Sequence, residues 1–125
     1  LYLDKENAHR RKVAQAYLHG IKNSEIILPA VLDESAHVWH VFVIRCKQRE
    51  ELQKYLAANG VQTLIHYPIL PHKQQAYEKW NNQSYPISEN IHAEILSLPI
   101  GPTVTKEEIQ KVIKIVNSFN LANYL

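Results

Sequence analysis

Glycine is scarce in this sequence, with only Gly20, Gly60 and Gly101 in 125 residues. That excludes a glycine-rich phosphate cradle, which needs several glycines at fixed spacing. It also leaves Ser84, Ser88 and Ser97 without the glycine-flanked strand-turn-helix elbow that would make one of them a nucleophile. Cysteine is nearly absent too. Cys46 stands alone, so no internal disulfide can form, and the chain is expected in a reducing, cytoplasmic compartment. Arg45 and Lys47 flank it and would lower its pKa, although a lone cysteine at a strand end is more often a small hydrophobe. No run of about 18 apolar residues exists, so no membrane span is expected. No secretory leader is expected either, because LYLDKENAHRRK turns polar within its first residues. The absence of an initiator methionine and the abrupt start read as a fragment of a longer protein.

Charge of one sign is also missing. Fourteen Lys and Arg against twelve Asp and Glu leave a formal charge of +2, and the basic residues are spread rather than clustered. Nucleic acid as a partner is therefore not expected. What is present is core-forming material, at 46% hydrophobic residues in a length typical of one domain.

Residues 4–18 read as a helix with Asp4 as N-cap and Val13, Ala14, Tyr17 and Leu18 as its apolar stripe. IILPAV, 26–31, is interrupted by Pro29 and reads as an edge or connecting segment. HVWHVFVIR, 37–45, predicts a central strand. Alternation puts Val38, Phe42 and Ile44 on one face and Trp39, Val41 and Val43 on the other. A helix over 47–60 follows, stopped by Asn59-Gly60. VQTLIHY, 61–67, predicts a second strand, and HKQQAYEKW a short helix. Ser88 is expected to cap a helix over ENIHAEI, and SLPIGP offers a third strand. Thr105 and Glu108 have capping-box spacing before a helix that reaches about Phe119 and buries Ile109, Val112, Ile113 and Val116. The expected fold class is α+β, a small sheet covered by helices in two layers.

Chemistry is harder to find. Seven histidines invite a metal site, yet His37 and His40 differ by three and fall on opposite faces of a strand. His66 and His72 can meet across a loop, but no Cys, Asp or Glu lies beside them to complete a tetrahedral set, so no metal is expected. A Schiff-base lysine needs a desolvated pocket, and the lysines here lie on polar helix faces or in turns. No catalytic residue is assigned. The stretch LIHYPILPH, 64–72, remains. His66 and Tyr67 close the second strand, where open sheets tend to present side chains to ligands. Pro68 and Pro71 fix two φ angles, and His72 starts the next helix within reach of the loop mouth. Imidazole and phenol groups suit a polyhydroxylated or phosphorylated ligand. The plainer alternative makes His66 and Tyr67 satisfied residues at a domain edge, and the prolines a turn.

HVWHVFVIRCKQREELQKYLAANGVQTLIHYPILPHKQQAY resembles the carboxyl-terminal region of the DegT/DnrJ/EryC1/StrS family of sugar aminotransferases. LDKENAHRRKVAQAYL is similar to the helix preceding that family's small domain, and SENIHAEILSLPIGPTVTKEEIQKVIKIV to its closing segment. The most specific stretch runs from Thr63 to Tyr77. The resemblance implies the C-terminal small domain of a fold-type I enzyme, with residues 1–20 as a leading helix and 37–120 as an α+β core. The large domain that carries pyridoxal 5'-phosphate (PLP) and its lysine would be absent, and the piece alone inactive. It further implies amino transfer from glutamate to a keto group of a nucleotide-linked sugar, most similar to dTDP-linked 6-deoxyhexoses. The products would feed polysaccharide, lipopolysaccharide or glycoside synthesis, and the enzyme would be a homodimer. Carried over residue by residue, His66, Tyr67 and His72 fall on the substrate side, with PLP bound elsewhere in the full-length protein. Leu70 departs from the pattern, where a third proline is expected. The alternative is a stand-alone α+β binding or regulatory module.

Overall fold

The computed structural model describes residues 2–120 and 122. Helix α1, Leu3–Gly20, begins one residue before the expected Asp4 cap. Asp4 instead lies within the first turn, where its charge favours the positive end of the helix dipole. One face of α1 buries Val13, Ala14 and Tyr17. Strand β1, Phe42–Arg45, pairs antiparallel with strand β2, Ile95–Leu98, in the register Phe42 to Leu98 and Arg45 to Ile95. Single bridges extend the pair on both sides, Ile27 to Arg45 and Leu64 to Ser97. β1 is thus flanked on both edges, as its apolar composition predicts, and the fold is α+β with a small antiparallel sheet and helices packed on it.

The strands are shorter than their apolar runs. Trp39 has a φ of 53° and takes the chain out of extended geometry before β1. The His37 ring stacks on Trp39 at 3.9 Å, and the Trp39 N–H donates to His37 Nδ1 at 3.0 Å. The turn brings Trp39 against Phe42, with ring centroids 5.3 Å apart, although strand alternation assigns them to opposite faces. Segment 61–67 keeps only the Leu64 bridge, because Tyr67, at φ 55°, bends away from the sheet. The third strand lies two residues earlier than SLPIGP suggests, since helix α3 runs straight into it.

Helix α2, Arg49–Ala58, is closed by Gly60 at φ 73°, with the Val61 N–H reaching back to the Leu56 carbonyl. Only glycine takes that left-handed turn without a Cβ penalty. The expected helix over 72–80 is instead two 3-10 turns, Pro71–Lys73 and Gln75–Trp80. Helix α3, Pro86–Glu94, starts before Ser88, which therefore sits inside the first turn and caps nothing. Pro86 takes the early position that needs no N–H. Helix α4, Lys106–Ser118, carries the complete Thr105–Glu108 capping box and buries Ile109, Val112 and Val116, with Ile113 half-buried.

Two asparagines tie the ends of α1 and α4 together. Asn117 donates to the Gly20 carbonyl at 2.8 Å and accepts from the Lys22 N–H at 2.7 Å. The Asn23 amide donates to the carbonyls of Val116 and Phe119. At the core, Phe42 lies edge-on to Tyr17 at 5.0 Å, and the Tyr17 hydroxyl donates to the Pro99 carbonyl at 2.8 Å. Burial pushes the Tyr17 phenol pKa up, helped by the Glu108 carboxylate, so the group stays a neutral donor. Cys46 corrects the expectation drawn from its neighbours. It is buried, and desolvation raises its pKa, with the nearby Glu25, Glu51 and Glu94 carboxylates adding to the rise. It packs as a small hydrophobe.

Candidate functional site

The bend at Tyr67 and the start of α3 enclose an open groove of about 750 Å³. Its lining includes His66, Tyr67, Leu70, Tyr85, Ile91 and His92, so a mainly apolar trough carries a few polar groups. That mixture is usual for small-molecule sites, where apolar walls bury the ligand and convergent polar atoms orient it. A smaller cleft of about 390 Å³ shares the His66 wall and includes His40, Gln62, Thr63 and Ser97. His40, ambiguous in the sequence between core and rim, is exposed and lies on that rim.

Tyr67 is 81% exposed, and a φ of 55° is costly for a residue with a Cβ. The conformation is held from α3, where the Nε2–H of His92 donates to the Tyr67 carbonyl at 2.8 Å. This bond ties the loop to α3 across the groove. His66 is half-buried, and its Nδ1 is hydrogen-bonded to Ser97 Oγ at 2.8 Å. His66 and Tyr67 therefore both line the groove, one fixed against the sheet and the other turned into solvent.

His72 stands apart from the lining. It is 6% exposed, its Nε2–H donates to Glu89 Oε1 at 2.9 Å, and its ring meets the edge of Tyr85 at 4.9 Å. The same Glu89 oxygen accepts the Tyr85 N–H at 3.1 Å. These bonds hold the Glu89 carboxyl below the usual glutamate range, the Tyr85 N–H first and His72 second. One carboxylate thus joins the end of the proline loop to the first turn of α3. Leu70 lines the groove with φ −54° and ψ 141°, a backbone that proline also adopts.

Sequence reasoning missed three partners: Ser97, Glu89 and His92. Ser97 had a visible signal, a hydroxyl inside the apolar run ILSLP. Glu89 and His92 looked like ordinary polar positions of an exposed helix. No group of three or more His, Cys, Asp or Glu side chains converges among the described residues, and every lysine is exposed. None of the described helices is long and apolar enough to cross a membrane.

Comparisons with known proteins agree on one family. The model of the DegT/DnrJ/EryC1/StrS aminotransferase family matches residues 1–117. A dTDP-3-amino-3,6-dideoxy-alpha-D-galactopyranose transaminase from Aneurinibacillus thermoaerophilus is 55% identical over 118 residues, covering 94% of this chain and 32% of that protein. Among solved structures, DesV of S. venezuelae in complex with a ketimine intermediate superposes with a TM-score of 0.86 at 36% identity, covering 93% of this chain and 32% of its own. NtdA from Bacillus subtilis with bound cofactor PMP gives 0.83 at 32% identity, over 92% of this chain and 28% of its own. The chain spans about a third of the length of the relatives it matches.

Proposed function

Because the chain belongs to the DegT/DnrJ/EryC1/StrS aminotransferase family, we propose that it is the carboxyl-terminal small domain of a PLP-dependent enzyme acting on a nucleotide-linked sugar. The amino group would come from glutamate and pass to a keto carbon, with a dTDP-linked 6-deoxyhexose as the favoured acceptor. The observation that carries this reading is the groove walled by His66 and Tyr67, in a chain 55% identical to a transaminase named for such a sugar. A groove of this size accommodates a sugar ring and part of its diphosphate against Ile91, with the imidazole and phenol available for hydroxyl and phosphate oxygens.

PLP, when bound, supplies the electron sink for amino transfer. The exposed lysines here favour a cofactor held by the rest of the full-length protein, and this chain taken alone is proposed to be inactive. Its contribution is to bind and orient the sugar nucleotide and to cover the site from water. Exposed Tyr67, Ile69 and Ile87 beside the groove favour a further protein surface across it, in a homodimer working in the cytoplasm.

His66→Ala in the full-length enzyme tests the substrate role. The KM for the sugar nucleotide should rise roughly tenfold, the loss expected for one well-placed polar contact, while PLP affinity is unchanged. Equal loss of both would remove His66 from the substrate side. Borohydride reduction of this chain with PLP should leave no lysine uniquely modified. A unique adduct would overturn the placement of the cofactor elsewhere.

A further inference from the structure

The buried polar side chains among the described residues include His72 and Ser97, each 6% exposed. His72 is accounted for by Glu89. Ser97 lies in β2 between Leu96 and Leu98, both buried. Its backbone is committed on both edges, facing Val43 in the β1 ladder and exchanging two hydrogen bonds with Leu64 at 2.9 and 3.2 Å. Its hydroxyl has a single partner among the described residues, Nδ1 of His66 at 2.8 Å.

The direction of that bond follows from what each atom needs. A hydroxyl always carries a hydrogen, and burying it without an acceptor incurs the full desolvation penalty. If Nδ1–H donated to Oγ, the Ser97 hydrogen would be left with no protein acceptor among the described residues. If Ser97 O–H donates to Nδ1, both atoms are satisfied, and the proton of neutral imidazole resides on Nε2. His66 Nε2 has no intramolecular partner among the described residues, and the ring walls both the groove and the smaller cleft.

We propose that Ser97 is a positioning residue that holds neutral His66 as its Nε2–H tautomer, so that the groove offers an oxygen acceptor on the ligand a donor rather than a bare nitrogen. The ligand half of this statement rests on the substrate role assigned to His66; the tautomer half does not. A donor there selects hydroxyl, carbonyl or phosphate oxygens, all of which a nucleotide sugar presents.

Imidazole ¹⁵N spectra of the full-length protein, recorded where histidine is neutral and assigned through His66→Gln, read the tautomer directly. The wild type should show Nε2 protonated and Nδ1 as a hydrogen-bond acceptor. Ser97→Ala should average the two nitrogen shifts, and Ser97→Thr, which keeps the hydroxyl and suits a strand, should restore them. Alanine is smaller than serine and keeps both backbone pairings, so the variant remains readable. In parallel, Ser97→Ala should raise the sugar-nucleotide KM roughly 2- to 12-fold, the worth of one neutral hydrogen bond, leave kcat nearly unchanged, and be rescued by threonine. An Nδ1–H tautomer in the wild type, or shifts indifferent to Ser97→Ala, would overturn the assignment. Altered shifts with an unmoved KM would instead overturn the ligand half and, with it, the substrate role of His66.

Discussion

Phe42→Ala tests the joint on which the sheet rests. Phe42 is 0% exposed, with its ring 5.0 Å from Tyr17 of α1 and 5.3 Å from Trp39. Deleting a fully buried benzyl group costs about 3–5 kcal/mol, the transfer free energy plus the cavity left by incomplete collapse. Phe42→Leu keeps most of the volume and loses chiefly the two ring contacts, each worth roughly 0.5–1.5 kcal/mol, so about 1–3 kcal/mol is expected. Against a typical domain stability of about 5–15 kcal/mol, the alanine variant should remain folded only marginally. Urea unfolding followed by circular dichroism measures both. With an m-value near 2 kcal/mol/M, a loss of about 4 kcal/mol lowers the midpoint by roughly 2 M. A loss below about 1.5 kcal/mol for alanine would refute the claim that Trp39 and α1 close over this ring. Equal losses for leucine and alanine would refute the role given to volume.

Two further outcomes are expected. Thr105→Ala removes the N-cap acceptor of the Glu108 N–H, 3.2 Å away, and should cost about 1 kcal/mol in thermal unfolding. Glu89→Gln should flatten the acid limb of the stability profile. Glu89 has a folded pKa below its unfolded value, so its contribution is complete above the ordinary glutamate range and is lost as pH falls through the depressed value. Melting temperatures of variant and wild type should therefore differ more at neutral pH than near pH 3. A constant difference would detach Glu89 from the link between the loop and α3.

Much of the helical framework was legible because its signals are local. Thr105 and Glu108 lie three residues apart, and Asn59-Gly60 sits where the chain must turn left-handed, so short-range geometry decides both. The strands were less legible. Their ends are set by Trp39 and Tyr67, whose positive φ angles no residue-type preference announces. The histidine at 72 looked like a loop-mouth group because its partner lies 17 residues away on another element.

By itself, the sequence determined the family, the α+β class and the capping of α4, all carried by neighbours along the chain. Only the tertiary structure decided that Trp39 joins Phe42, that Ser97 meets His66 from 31 residues away, and that His72 turns inward to Glu89. The physical reason is that a buried polar atom must find a partner wherever packing provides one. That choice is made by the three-dimensional neighbours and not by the spacing of residues along the chain.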